Sequence, residues 1–277
     1  DSPEKLLSVE QPAWVLVYGD TNPSLAGVLA AAKLSIPVVH VEAGLRSFNR
    51  RMPEEINRVV VDHVSTLLLC PGETAVRNLA NEGLDRGVHV IGEVMLRGLN
   101  WARQGRARPA TGILQELGLA TSGYVLTTIH RSQNTDDVTN LRGILEGLNA
   151  LDEPVVFPVH PRALKAISAA QCELASHVRL IDPVGYLDMM ALTGGARLVL
   201  TDSGGLQKEA YWLGIPCLTL RQETEWVETV SSGWNVLVGS DSETIVQTAR
   251  SFQPANARPA LYGDGHAAAR CVELLST

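Results

Sequence analysis

Residues 36–58 read IPVVHVEAGLRSFNRRMPEEINR. In the first half, Ile36, Val38, Val39 and Val41 form a short β-branched apolar run entered through Pro37, which predicts a buried strand ending at Glu42 and Gly44. The second half predicts a helix. Pro53 suits a first helical turn, and Glu54 and Glu55 suit its positive end. Between the two halves, acids at 42, 54 and 55 alternate with arginines at 46, 50, 51 and 58. A charge run is ordinarily a solvated face. Here, however, Glu42 falls at the carboxyl end of a buried strand, where open parallel sheets bind their ligands, and that makes it a candidate site residue.

Working outward, the same strand-then-helix unit recurs. AWVLVYGD (13–20) and SLAGVLAAAKLS (24–35) precede the stretch; TLLLCPG (66–72), ETAVRNLANEGL (73–84) and GVHVIGE (87–93) follow it. From about residue 96 to 122 the pattern weakens, and WARQGRARPATG (101–112), rich in Arg, Gly and Pro, reads as an inter-domain connection. A second series then runs through GYVLTTIH (123–130), PVVFPVH (154–160), VRLID (178–182), ARLVLTD (196–202) and PCLTL (216–220), with helices between them. WNVLVG (234–239) adds a short strand, and SETIVQTARSF (242–252) and HAAARCVELLS (266–276) supply closing helices. The expected class is α/β: two Rossmann-like domains facing a cleft, spanning residues 1–98 and 99–277, with the closing helices in the second.

Composition narrows the partners. The 277 residues are 45% hydrophobic and 19% charged, which describes a globular protein. A net charge of −7 argues against general affinity for nucleic acid or an anionic membrane. Cysteines at 70, 172, 217 and 271 are too scattered for a CxxC metal site and read as free thiols in a reducing cytoplasm. No apolar stretch reaches the length of a membrane span, and the opening DSPEKLLSVEQ lacks a signal-peptide pattern. The chain starts without Met, inside an amphipathic helix, and reads as a fragment.

Polar motifs recur at the strand ends: Gly19-Asp20, Glu42-Ala43-Gly44, His130-Arg131, His160-Pro161-Arg162, Asp182-Pro183 and Thr201-Asp202-Ser203-Gly204-Gly205. Any one of them could be turn or N-cap chemistry. Ser203, Gly204 and Gly205 lie between a strand and a helix, where free backbone N–H groups at a positive helix end would cradle a phosphate. Glu209, one turn further on, could accept from ribose hydroxyls. Neither the P-loop pattern nor GxGxxG is present, so neither ATP hydrolysis nor NAD binding is supported. Arg221 ends a strand where it could reach a diphosphate, whereas Glu225 and Glu228 read as an exposed helical face and His40 as a plain strand residue.

The ordered motifs GDT, HVEAGLR, PEEINR, IHR, PVHP, TDSGG and QKEA, running from Val15 to about Gly239, resemble the non-hydrolysing UDP-N-acetylglucosamine 2-epimerases. The resemblance implies a glycosyltransferase-B fold whose first domain here lacks its leading βα units and whose closing C-terminal helix packs back on the first domain. It also implies interconversion of UDP-GlcNAc and UDP-ManNAc, no metal or redox cofactor, and a homodimer. Carried over residue by residue, it makes Asp20, Glu42, Glu54 and His130 catalytic, and Arg58, Ser203, Gly204, Gly205, Glu209 and Arg221 contacts to UDP or sugar. Arg131 and His160 match a family allosteric site. Glu55 and Arg46 are expected to pair across the basic loop.

The chain departs from the family pattern at Arg131-Ser132-Gln133-Asn134, where an amide replaces a carboxylate, and at Gly92-Glu93, Arg97 and Met189. Competing readings are a hydrolysing relative releasing N-acetylmannosamine and UDP, a glycosyltransferase of the same fold, and a non-catalytic nucleotide-sugar-binding protein. The glycosyltransferase reading gives no reason for three carboxylates.

Overall fold

A computed structural model describes residues 2–103 and 111–276. Most of the proposed connection at 101–112 therefore lies outside the described residues. The chain divides into two compact units, residues 1–98 with 260–277, and residues 99–259. Among the described residues no helix is long and apolar enough to cross a membrane.

The first unit holds a parallel sheet of β1 (Val15–Tyr18), β2 (Val38–Val41), β3 (Leu67–Cys70) and β4 (Val88–Val90), in that spatial order. Side chains alternate across such a sheet, so Val39 and Val41 point to one layer and Val38 and His40 to the other. Val39 and Val41 pack with Leu69, Ile91, Ala267 and Cys271. Val38 packs with Val17, Val28, Ala31 and Val61, beneath the helices Asn22–Lys33 and Pro53–Val64. The last helix, Ala267–Leu275, thus covers the first sheet, although the sequence pattern grouped it with the second half. The connection into it is pinned at Gly92, whose φ of +86° favours glycine and where a Cβ would meet the Tyr262 carbonyl oxygen at 3.0 Å.

The second unit holds six parallel strands, β5 (Val125–Thr128), β6 (Val155–Pro158), β7 (Val178–Ile181), β8 (Leu198–Thr201), β9 (Cys217–Thr219) and β10 (Asn235–Leu237). Their spatial order is β10-β9-β8-β5-β6-β7. The chain runs outward from β5 in one direction and from β8 in the other, so the topological switch lies between these two strands. Ligands of such sheets bind just beyond the carboxyl ends at that switch, which here are His130 and Asp202. A large apolar cluster, including Val125, Ile144, Phe157, Leu198, Leu218 and Ile245, underlies the sheet.

Candidate active site

In the first unit the charged face of one helix is turned inward. Pro53–Val64 buries Glu55, Asn57, Arg58, Val61 and Asp62, positions three and four apart that form one stripe. Arg58, 2% exposed, donates to Asp20 Oδ2 from Nε at 2.9 Å and from Nη2 at 2.5 Å, and from Nη1 to Glu55 Oε2 at 2.8 Å. Asn57 Nδ2 donates to the Asp20 carbonyl oxygen at 2.8 Å. Arg58, expected among the ligand contacts, is therefore a buried holder of Asp20.

Glu55 does not pair with Arg46. It accepts from the backbone N–H and hydroxyl of Ser47 and the backbone N–H of Phe48, at 2.8–2.9 Å, and so grips the loop instead. Burial pushes its carboxyl up, but the Ser47 hydrogen bonds and Arg58 outweigh that and hold it below the usual carboxylate value. Arg46 reaches Asp62 at 2.6 Å and Glu82 at 2.7 and 2.8 Å. The interleaved charges of the loop thus resolve into two buried networks, one around Arg58 and one around Asp62.

Glu42 follows β2 with φ of 70°, a left-handed conformation uncommon for a residue with a side chain. Its Oε2 lies so close to the preceding strand tip that a Cβ on Gly19 would stand 3.2 Å from it. The acids after β1 and β2 are thereby neighbours. Glu54 sits half-buried in the first turn of Pro53–Val64, one position from Glu55.

In the second unit Asp202 is fully buried and takes four donors. The backbone N–H groups of His130 and Arg131 reach it at 3.0–3.1 Å and Asn134 Nδ2 at 3.0 Å, and His130 Nδ1 lies 3.0 Å from Oδ1. Burial would raise its carboxyl, but the His130 ring and these donors hold it below the ordinary value. The half-exposed His130 is thus oriented by a fixed anion at its Nδ1 edge. The strand-end pattern contained Asp202 without revealing this role; the signal that could have found it is an acid and a histidine ending the two strands that flank the switch.

Ser203 caps the helix Gly204–Leu213, its hydroxyl accepting from the Leu206 N–H at 3.3 Å. The helix starts two residues earlier than its apolar pattern suggests, so Gly204 and Gly205 supply first-turn N–H groups with no intrahelical acceptor. A Cβ at Gly204 would stand 2.6 Å from Glu225 Oε1, so any side chain there would displace the Glu225 carboxylate. Glu225 is itself buried, not exposed, because it accepts from Arg221 Nη2 at 2.9 Å and lies 3.7 Å from Arg131 Nη2. Arg221 is correspondingly 2% exposed.

Glu209 is 5% exposed, and burial raises its carboxyl to about 7 against the opposing pull of Tyr186 and Lys208. Its Oε1 is buried with no hydrogen-bond partner. An acceptor in that state is costly unless a ligand supplies donors. His160 is the N-cap of Pro161–Ala170, its Nδ1 accepting from the Arg162 N–H at 3.3 Å. Among the described residues no three His, Cys, Asp or Glu side chains are grouped to hold a metal ion.

The family model for UDP-N-acetylglucosamine 2-epimerase matches residues 2–276. A UDP-N-acetylglucosamine 2-epimerase homolog of Methanococcus maripaludis is 47% identical over 98% of this chain and 78% of that protein. A UDP-2,3-diacetamido-2,3-dideoxy-D-glucuronate 2-epimerase of Pseudomonas aeruginosa is also 47% identical, over 99% of this chain and 77% of its own length. The crystal structure of Methanocaldococcus jannaschii UDP-GlcNAc 2-epimerase, in complex with UDP-GlcNAc and UDP, superposes with a TM-score of 0.91 at 38% identity, covering 99% of this chain and 78% of that one. With two parallel-sheet units and this match along nearly its whole length, the chain belongs to the UDP-N-acetylglucosamine 2-epimerase family of isomerases.

Proposed function

We propose that the protein inverts C2 of a UDP-linked 2-acetamido sugar, interconverting UDP-GlcNAc and UDP-ManNAc. The observation that carries this reading is the adjacency of two strand-tip acids, Asp20 and Glu42, in which Glu42 closes on Gly19 and Asp20 is gripped by buried Arg58.

The C2 proton of the sugar is not next to a carbonyl, so a carboxylate alone cannot remove it at a useful rate. Departure of UDP comes first. Loss of the anomeric C–O bond leaves an oxocarbenium-like centre at C1, which acidifies the C2 proton. Its removal gives 2-acetamidoglucal with UDP retained, and reprotonation from the other face with re-addition of UDP completes the inversion. Such a route needs acid/base groups for both faces and stabilisation of a departing diphosphate. In this reading Asp20 and Glu54 move the C2 protons, while Glu42 and His130 orient the sugar and assist departure.

The N–H groups of Gly204 and Gly205 suit the diphosphate, and the unpartnered Oε1 of Glu209 suits ribose hydroxyls. Retention of UDP distinguishes this reaction from hydrolysis, in which water captures the intermediate. We place the reaction in the cytoplasm, in keeping with four free thiols.

A second reading keeps the reaction and changes the sugar. The Pseudomonas aeruginosa relative, named for a 2,3-diacetamido glucuronate, is as identical to this chain as the Methanococcus maripaludis homolog. Chromatography of products from both UDP-sugars, run side by side, tests the assignment. The proposal expects a second UDP-sugar from UDP-GlcNAc. Turnover of the diacetamido glucuronate alone would transfer the assignment to the second reading, and release of free N-acetylmannosamine would make the protein a hydrolase.

A further inference from the structure

His40 is fully buried in β2, with Val17 and Leu68 as its register partners on the flanking strands. It faces the layer beneath Pro53–Val64, where an apolar residue would be expected. Its Nδ1 lies 2.6 Å from Asp62 Oδ1, and its Nε2 lies 2.9 Å from the Gly19 carbonyl oxygen. The other oxygen of Asp62 accepts from the Gly44 N–H at 3.1 Å and from Arg46 Nη1 at 2.6 Å.

Each of these contacts ends at a turn that carries an acid. Gly19 immediately precedes Asp20, and Gly44 lies two residues after Glu42. Both glycines hold positive φ, +57° and +79°, and Glu42 between them holds 70°. At Gly44 a Cβ would approach the Ala75 carbonyl oxygen to 2.4 Å, so only glycine fits at that turn. Two turns of left-handed backbone on adjacent strands are therefore tied to one buried pair.

We propose that His40 and Asp62 are positioning residues that clamp the Gly19-Asp20 and Glu42-Gly44 turns to each other and so fix the separation of the two acids. The clamp sets a requirement on protons. A carbonyl oxygen can only accept, and the Asp62 oxygen facing His40 accepts as well, since the carboxyl is kept ionised by Arg46 at 2.6 Å from its partner oxygen. Both ring nitrogens of His40 must then donate. Arg46 and Glu82, with His63 at 3.7 Å from Glu82, complete the charged surroundings of the pair. The role assigned to the clamp rests on the epimerase reading above, while its geometry does not.

Two measurements test it. In protein labelled with 15N-histidine, His40 is recognisable as the one buried imidazole of the seven histidines, hence the one protected from solvent exchange. The clamp predicts two N–H protons on that ring. The second measurement is C2 hydrogen exchange of UDP-GlcNAc by His40→Asn and His40→Gln. Asn can reach only toward Asp62, whereas Gln can present its amide N–H to Gly19. His40→Asn should lower kcat about 100-fold with KM changed less than about threefold, as expected for misplaced catalytic groups, and His40→Gln should recover part of the loss. A single N–H on His40, or variants that melt early but keep kcat, would overturn the clamp. An unmodified protein that never exchanges the C2 hydrogen sinks the epimerase reading instead.

Discussion

Arg58 places both Nε and Nη2 on one oxygen of Asp20, at 2.9 and 2.5 Å, from a side chain that is itself 2% exposed. The geometry fixes the carboxylate in direction and keeps it paired with a cation. Lysine cannot reproduce that fork. Arg58→Lys should retain most of the stability and lose about 100-fold in kcat through misplacement of Asp20. Arg58→Ala should also destabilise the fold by about 3–5 kcal/mol, because Glu55 is left buried without its cation. Urea denaturation and initial rates on the two variants check this. Equal rates for wild type and Arg58→Lys would remove Arg58 from the account.

Glu209 provides a pH dependence with a defined sign. Its carboxyl is raised from 4.5 to about 7 by burial, so between these values the folded state holds a proton that the unfolded state has lost. Its contribution to stability is complete below the unfolded value and disappears as pH rises through about 7. Glu209→Gln should accordingly be more stable than wild type at pH 8 by up to about 3 kcal/mol, with the difference closing toward pH 4.5. Affinity for UDP-GlcNAc, which has no group titrating in this range, should rise with pH across the same window in wild type and stay flat in the variant. Calorimetric titrations at several pH values measure both slopes.

Asp202 has the opposite sign. Its carboxyl is held below the ordinary value by His130 and the neighbouring donors, so its stabilising effect is present above the unfolded value and is lost as pH falls through the folded one. Asp202→Asn keeps the side-chain shape but can no longer offer His130 Nδ1–H a charged acceptor. kcat should drop about 100-fold, the usual scale for an impaired general acid or base, and the acid limb of the stability curve should flatten. Thermal melts from pH 3 to 7 with parallel rate measurements test both effects. Unchanged kcat would separate His130 from the chemistry.

The fold was legible in the sequence because its determinants are local. Apolar runs such as VVHV and LLLC, each followed by a polar turn and an amphipathic helix, leave little choice besides a parallel sheet. The placement of the last helix was not legible in the apolar pattern and came only with the family resemblance, since Ala267 and Cys271 pack against β2 and β3, more than 190 residues earlier in the chain. Asp20 and Glu42 were legible for the same reason as the strands, because they occupy strand tips. What the sequence hid was the pairing. Glu55 and Arg46 looked complementary across a short loop, but helical geometry turns Glu55 toward Arg58 three residues on, while Arg46 reaches Asp62 and Glu82. Glu225 likewise read as a surface charge until Arg221, at the preceding strand end, was placed beside it in the interior.

The central claim is that this chain makes and breaks the C2–H bond of a UDP-2-acetamido sugar through elimination and re-addition of UDP. Proton NMR of UDP-GlcNAc incubated with the protein in D2O tests it most directly. The account predicts loss of the C2 proton signal through deuterium uptake, together with a second set of UDP-sugar anomeric resonances. Persistence of the C2 proton with a single unchanged UDP-sugar would contradict it.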